Sequence, residues 1–347
     1  MGLEAGCPLR VGYGTAGPKN TIADVPGVKV GHVTIREKDV RTGVTAVLPH
    51  GGDLFREKVP AAAAVINGFG KTMGLVQIEE MGTIETPVLM TNTLSIGTAA
   101  TALIRYMLAR DPEIGVSTGT VNPVVCECND GYLSDIRGLH VTEAHVFEAI
   151  EAASDEVAEG CVGAGTGMSC LGFKGGIGSA SRILTLDGRT YTVGALTLCN
   201  FGQAGRLIAG GKRLGEKLAA ARPEQDKGSI IMLLATDLPL STRQLRRLCR
   251  RAGAGLARTG SYYGNESGDI AIAFSTAARI PHSPEKALLP FTVLHDAYID
   301  PALDLAAEAV EEAILSALWH AETTEGRDGH IRRSLREALA ALPADET

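Results

Sequence analysis

Apolar positions in this chain fall mostly into short runs rather than long periodic stretches. The run from Ile230 to Ala235 is continuous; it follows the turn-like Asp226-Lys227-Gly228-Ser229 and is closed by Thr236. A run of this length, bounded by turn signals, predicts a strand buried on both faces. Shorter apolar stretches at Thr42–Leu48, Ala61–Asn67, Pro87–Thr91, Val124–Cys128 and Gly268–Ser275 predict further strands. Residues 20–34 alternate apolar and polar around Pro26-Gly27, which predicts a hairpin. Asp187-Gly188 is a hairpin signal between strands at Ser181–Leu186 and Thr190–Cys199.

Helical spacing appears in other places. Ala99, Leu103, Met107 and Leu108 share a face of a helix over 95–110, stopped by Asp111-Pro112. Thr142 caps a helix running to about Glu159, before Gly160. Ser241-Thr242-Arg243-Gln244 is a capping box, with Leu240 and Leu245 as its staple; Leu245, Leu248, Cys249, Ala252 and Leu256 form the apolar face. Asp300-Pro301 opens a long helix to about Ala321, and a terminal helix spans 331–342 before Pro343. Strands cluster with helices after them. This is an α/β pattern of layered sheets flanked by helices, not a strict βαβ repeat.

Composition narrows the packing. The 347 residues include 42 glycines but only 4% aromatics, so small side chains and close backbone approach dominate. Net charge is −7, which argues against a general nucleic-acid binder or an anionic membrane surface. The seven cysteines are odd in number and scattered, as expected of reduced, mostly buried thiols. No basic-then-apolar leader opens the chain and no apolar stretch approaches 18 residues; a cytoplasmic protein with no membrane partner is expected. Arg243, Arg246, Arg247, Arg250 and Arg251 read as a solvated helix face.

The chemistry on offer excludes some classes. There is no His-Glu-x-x-His, no Gly-x-Ser-x-Gly elbow, and no second pair to make Cys126-x-Cys128 a zinc site. The glycine-rich stretch 163–178 has Met168 where the dinucleotide motif needs its third glycine, and Phe173 where a P-loop needs Lys. It reads as a conformationally demanding loop. Neither cofactor nor metal is expected. Gly228-Ser229 is different. A serine after glycine at the mouth of a central strand can cut its own peptide bond, leaving a nucleophile and an amine base on one residue. The plain alternative is a turn-to-strand junction. Gly178-Ser179 and Gly260-Ser261 open no long apolar run, which favours Ser229. Asn200, at the end of a strand, could donate to an oxyanion or simply serve the turn before Gly202. Glu127, Asn129, Asp130 and Tyr132 surround a turn glycine and suit a polar pocket.

Taken together, Asp226–Ile231, Asn200-Phe201-Gly202, Asn129–Tyr132, Ser267-Gly268-Asp269, the opening 20–32 and Gly163–Met168 resemble the L-aminopeptidase/D-esterase–amidase family, which includes β-aminopeptidases. The resemblance covers about 20–300. It implies a single catalytic domain folded as an αββα sandwich with mixed sheets, of the N-terminal-nucleophile kind, with ornithine acetyltransferase-like topology. It implies self-cleavage at Gly228-Ser229 into chains 1–228 and 229–347, and a homo-oligomer, a tetramer of such αβ heterodimers. The implied activity is release of N-terminal L-α-, D- or β-residues from peptides, amides or esters through an acyl-enzyme. The implied roles are Ser229 as nucleophile, its amine as base with Ser267 and Asp269 as relay, Asn200 as oxyanion donor and Tyr132 beside the nucleophile. Glu127 would take the substrate amine, with Asn129 adding a contact. Family members can carry Glu where Asp269 stands, which leaves the reach of that carboxylate open. An ornithine acetyltransferase-type enzyme normally uses threonine as nucleophile and ranks second; a non-catalytic glycine-rich binding protein is the remaining alternative.

Overall fold

The structure, a computed structural model, describes residues 11–218 and 228–342. The N-terminal stretch with Cys7, the charged loop 219–227, which includes Asp226 and Lys227, and Pro343 lie outside the described residues. The principal strands are β1 (Lys29–Glu37), β2 (Val40–Leu48), β3 (Glu57–Gly68), β4 (Val88–Asn92), β5 (Val124–Cys128), β6 (Gly176–Leu186), β7 (Arg189–Asn200), β8 (Ser229–Thr236) and β9 (Gly268–Ser275). The principal helices are α1 (Ile96–Arg110), α2 (Glu143–Glu151), α3 (Thr242–Arg258) and α4 (Asp300–His320).

Two mixed sheets result. The first runs β1-β2-β4-β5, with only the β4/β5 pair parallel. The second runs β3-β9-β8-β7-β6, with only β8/β9 parallel. Helices α1 and α2 pack on the first sheet, and α3 and α4 on the second. Three apolar cores separate the four layers, so the expected αββα sandwich is what the chain forms.

Strand β8 shows why its run is continuous. Ile231, Leu233 and Ala235 belong to the core between the sheets, while Ile230, Met232 and Leu234 belong to the core beneath α3 and α4. Both faces need apolar residues, so alternation disappears. Small residues let the layers close up. A Cβ at Gly178 on β6 would stand 1.8 Å from the Ala313 carbonyl oxygen of α4. That helix presents Ala306, Ala309, Ala313 and Ala317 to the core beneath it. Arg182 enters the same layer fully buried, paired with Glu308 at 3.1 Å and Glu312 at 2.5 Å.

Several boundaries differ from the sequence reading. The first hairpin turns at Lys38-Asp39, and Pro26-Gly27 instead leads into β1. Helix α2 stops at Glu151 rather than Glu159, because the backbone of Ser154 bonds to that of Val30 and carries the chain along the sheet edge. Leu108 is 43% exposed, off the buried face of α1. Strand β6 starts at Gly176, inside the glycine-rich stretch. Asp300 is itself the first helical residue of α4, with Ile299 in the cap position. Ile331-Arg332 forms a short strand with Thr324-Glu325, and the terminal helix is only Leu335–Ala340, capped by Ser334. Elsewhere the local chemistry performs as expected. Asp187 and Gly188 both take positive φ, 49° and 76°, as the tight hairpin turn demands. The Ser241/Gln244 capping box is formed. Six cysteines are described, all free and buried. No described helix is long and apolar enough to cross a membrane.

Candidate active site

One cavity of about 760 Å³ opens where the ends of β5, β7 and β8 meet. Its lining includes Gly228, Ser229, Asn200, Glu127, Asn129 and Tyr132, residues drawn from three separate motifs. Ser229 is the first residue of β8 and lies opposite Asn200, the last residue of β7. By strand alternation Ser229 shares a face with Ile231, and Asn200 shares one with Leu198, so both project toward the first sheet. There the Cys128 thiol neighbours the Ser229 hydroxyl. Burial pushes that thiol well above its usual pKa, so it stays a neutral neighbour rather than a rival nucleophile.

Asn200 Oδ1 accepts the backbone N–H of Ser169 at 2.8 Å. An N–H can only donate, so this bond fixes the amide orientation and leaves the Asn200 NH₂ as the cavity-side donor. Glu127 is 3% exposed. Its Oε1 accepts the backbone N–H of Lys71 at 2.9 Å, and its Oε2 accepts the Thr93 hydroxyl. No salt bridge joins it to a cation among the described residues. Asn129 reaches the cavity, but its Oδ1 is used by the N–H of Gly131 at 2.8 Å, so its side chain also holds the turn. The Tyr132 ring stacks on His330 at 4.5 Å and carries the Arg332 guanidinium 4.0 Å from its centroid.

Ser267 and Asp269 do not line the cavity. Both are buried, Ser267 just before β9 and Asp269 on it, either side of Gly268, which pairs with Ser229. Ser267 Oγ donates to Asp269 Oδ1 at 2.8 Å, so the shorter carboxylate does reach the hydroxyl. Sequence reasoning missed Lys71, Thr93, Ser169 and Arg332. Arg332 lines the cavity, and its Nε donates to Ser169 Oγ at 3.3 Å, which extends the site beyond residue 300.

Asp130, behind the cavity wall, is fully buried, and neither of its carboxylate oxygens has a well-formed hydrogen bond among the described residues. Desolvation pushes its carboxyl up to about 7, only partly offset by Thr42 and the nearby Lys174. The folded state therefore holds this proton more tightly than the unfolded chain. The associated stability is complete below pH about 4, falls as pH rises, and is gone above about 7, a span of up to about 4 kcal/mol. Asp130→Asn is expected to flatten that loss. Urea midpoints of wild type and variant should diverge between pH 5 and pH 8.5, with the variant ahead at the higher pH; parallel curves would refute the assignment.

Comparison with known proteins agrees with this picture. The model of "Peptidase family S58" matches residues 20–332. The beta-peptidyl aminopeptidase BapA of Sphingosinicella microcystinivorans is 38% identical, over 94% of this chain and 87% of that protein. The crystal structure of the PH0078 protein of Pyrococcus horikoshii OT3 is 52% identical with a TM-score of 0.93, covering 98% of each chain. The L-aminopeptidase D-Ala-esterase/amidase of Ochrobactrum anthropi, described as a variant among the Ntn hydrolase fold, is 40% identical with a TM-score of 0.89, covering 96% of this chain and 95% of that one. The expected fold is thereby confirmed, and hydrolysis is selected over the acyltransferase and binding-protein readings. On these grounds the chain belongs to peptidase family S58 and is a serine aminopeptidase/amidase.

Proposed function

We propose that the chain cuts itself between Gly228 and Ser229 and then releases N-terminal residues from short peptides, aminoacyl amides or esters through an acyl-enzyme on Ser229. The observation that carries this reading is the convergence of Ser229, Asn200 and the buried Glu127 on one cavity at the mouth of β8. Glu127 receives the free ammonium of the substrate. Ser229 Oγ attacks the adjacent carbonyl, and the freed α-amine of Ser229, with an ordinary pKa of about 7.7–8.0, takes the proton. Asn200 donates to the oxyanion. Ser267 and Asp269 lie on the face of the β8/β9 pair turned away from the Ser229 side chain, with Ala271 and Ala273. That arrangement supports a relay to the amine rather than to Oγ. Tyr132 walls the acyl side of the cavity.

The relatives carry both β-peptidyl and L-aminopeptidase/D-Ala-esterase names. Our reading spans those substrate types, united by a free amine beside the scissile carbonyl. The test is turnover of α-, β- and D-aminoacyl amides by the wild-type and Ser229→Ala proteins.

The αβ unit further assembles into a homo-oligomer, a tetramer in our reading. Residues 283–293 form an exposed arm on which Leu288 is 87% exposed, with Leu289, Phe291 and Val293 each at 45–48%. Apolar side chains gathered this way mark a contact surface. Light scattering should give a native mass several times 36.2 kDa, lowered by Leu288→Ser with Phe291→Ser. A monomeric αβ unit would refute it.

A further inference from the structure

The oxygen of the Gly228 carbonyl already has a donor. Gly268 N–H donates to it at 3.1 Å, extending the parallel β8/β9 ladder by one residue past Ser229. Each glycine lets a further neighbouring backbone close in on this pair. A Cβ at Gly268 would stand 2.6 Å from the Phe69 carbonyl oxygen, and one at Gly228 would stand 2.2 Å from the Asn200 carbonyl oxygen. Asn200, in contrast, has its amide oriented by Ser169, and no hydrogen bond joins its NH₂ to Gly228 O among the described residues.

We propose that Gly268 N–H is the oxyanion donor of self-cleavage, and that Asn200 is required only for turnover of substrate. The inference rests on the self-processing reading above and deepens it. In the cleavage step Ser229 Oγ bonds to the Gly228 carbonyl carbon, and the carbonyl π electrons move onto the oxygen that Gly268 already holds. The C–N bond then breaks, and the hydroxyl proton goes to the Ser229 nitrogen. This leaves an ester between Gly228 and Ser229 Oγ and a free amine. Water adds to the ester; the acyl C–O bond breaks, giving the Gly228 carboxylate and restoring the serine hydroxyl. A donor supplied by the ladder is in place before the bond is cut, so it costs no reorganisation at the moment of reaction.

The experiment follows cleavage after synthesis by intact mass, beside steady-state turnover of an aminoacyl amide. Asn200→Ala, and Asn200→Asp, which keeps the acceptor for Ser169, should be cut within about threefold of the wild-type rate. Their turnover should fall by about 10²–10³-fold, the usual cost of one oxyanion donor. Gly268→Ala should slow cleavage by a similar factor, because its Cβ forces the strand away from Phe69. If both Asn200 variants stay uncut while wild type is cut, or if Gly268→Ala is cut at the wild-type rate, this inference fails and the hydrolase reading survives. If wild type itself is never cut, the self-processing reading fails, and this inference falls with it.

Discussion

Ser229→Ala should leave one intact chain of 347 residues that turns over no aminoacyl amide, where wild type gives chains of 228 and 119 residues, the second beginning at Ser229. The expectation follows from one atom. Ser229 is 4% exposed and opens a strand whose other residues are buried on both faces, so removing Oγ leaves the packing of β8 almost untouched. In the mechanism proposed above, the hydroxyl is the nucleophile for both reactions, and the amine base exists only after the first. Loss of turnover should exceed about 10⁴-fold, the scale seen when a covalent nucleophile is deleted. Intact mass under denaturing conditions reads the first effect, and the amide assay reads the second. A cut alanine variant would place cleavage with another group, and an active one would remove Ser229 from the mechanism.

Glu127→Gln should lower kcat/KM for substrates bearing a free amine by about 30- to 5,000-fold, while the chain is still cut. A buried carboxylate is costly unless a cation meets it. Glu127 is held by Lys71 N–H and the Thr93 hydroxyl but is in no salt bridge with a described residue. In the proposed mechanism the substrate ammonium supplies that cation. Breaking such a buried pair typically costs 2–5 kcal/mol, which is the range quoted above. Glutamine keeps the shape and the acceptor for Lys71 N–H, removes the charge, and presents an NH₂ to the Thr93 hydroxyl, which can accept it. The companion measurement uses N-acetylated substrates, which wild type should refuse. If wild type accepts them as readily as free amines, or if Glu127→Gln leaves kcat/KM unchanged, Glu127 does not read the amine.

Much of this site was legible in the chain, and what was not has physical reasons. Strand β8 could be found because burial on both faces suppresses alternation, and Asp187-Gly188 because both residues must take positive φ. Glu127, Asn129 and Tyr132 lie close together in sequence, so one motif delivers three lining residues. Ser169 and Arg332 had no such signal. Ser169 acts through its backbone on a residue 31 positions away, and Arg332 reaches Ser169 across 163. Contacts of that range are decided by how layers stack, not by local pattern. Helix α2 was overextended for a similar reason. Val157 and Ala158 continue an apolar spacing, but the two backbone bonds between Ser154 and Val30 lie outside any helical pattern.

The order of the second sheet has a consequence for the proposed cut form of the protein. Strands β8 and β9 come from the later part of the chain, yet they sit between β3 and β7 from the earlier part. Once the bond before Ser229 is gone, neither fragment can depart without tearing open the middle of a sheet and wetting two cores. The cut form is thus a complex whose halves are held by interleaving rather than by a covalent link. Its refolding becomes a second-order encounter that slows on dilution, whereas the uncut chain refolds alone at any concentration.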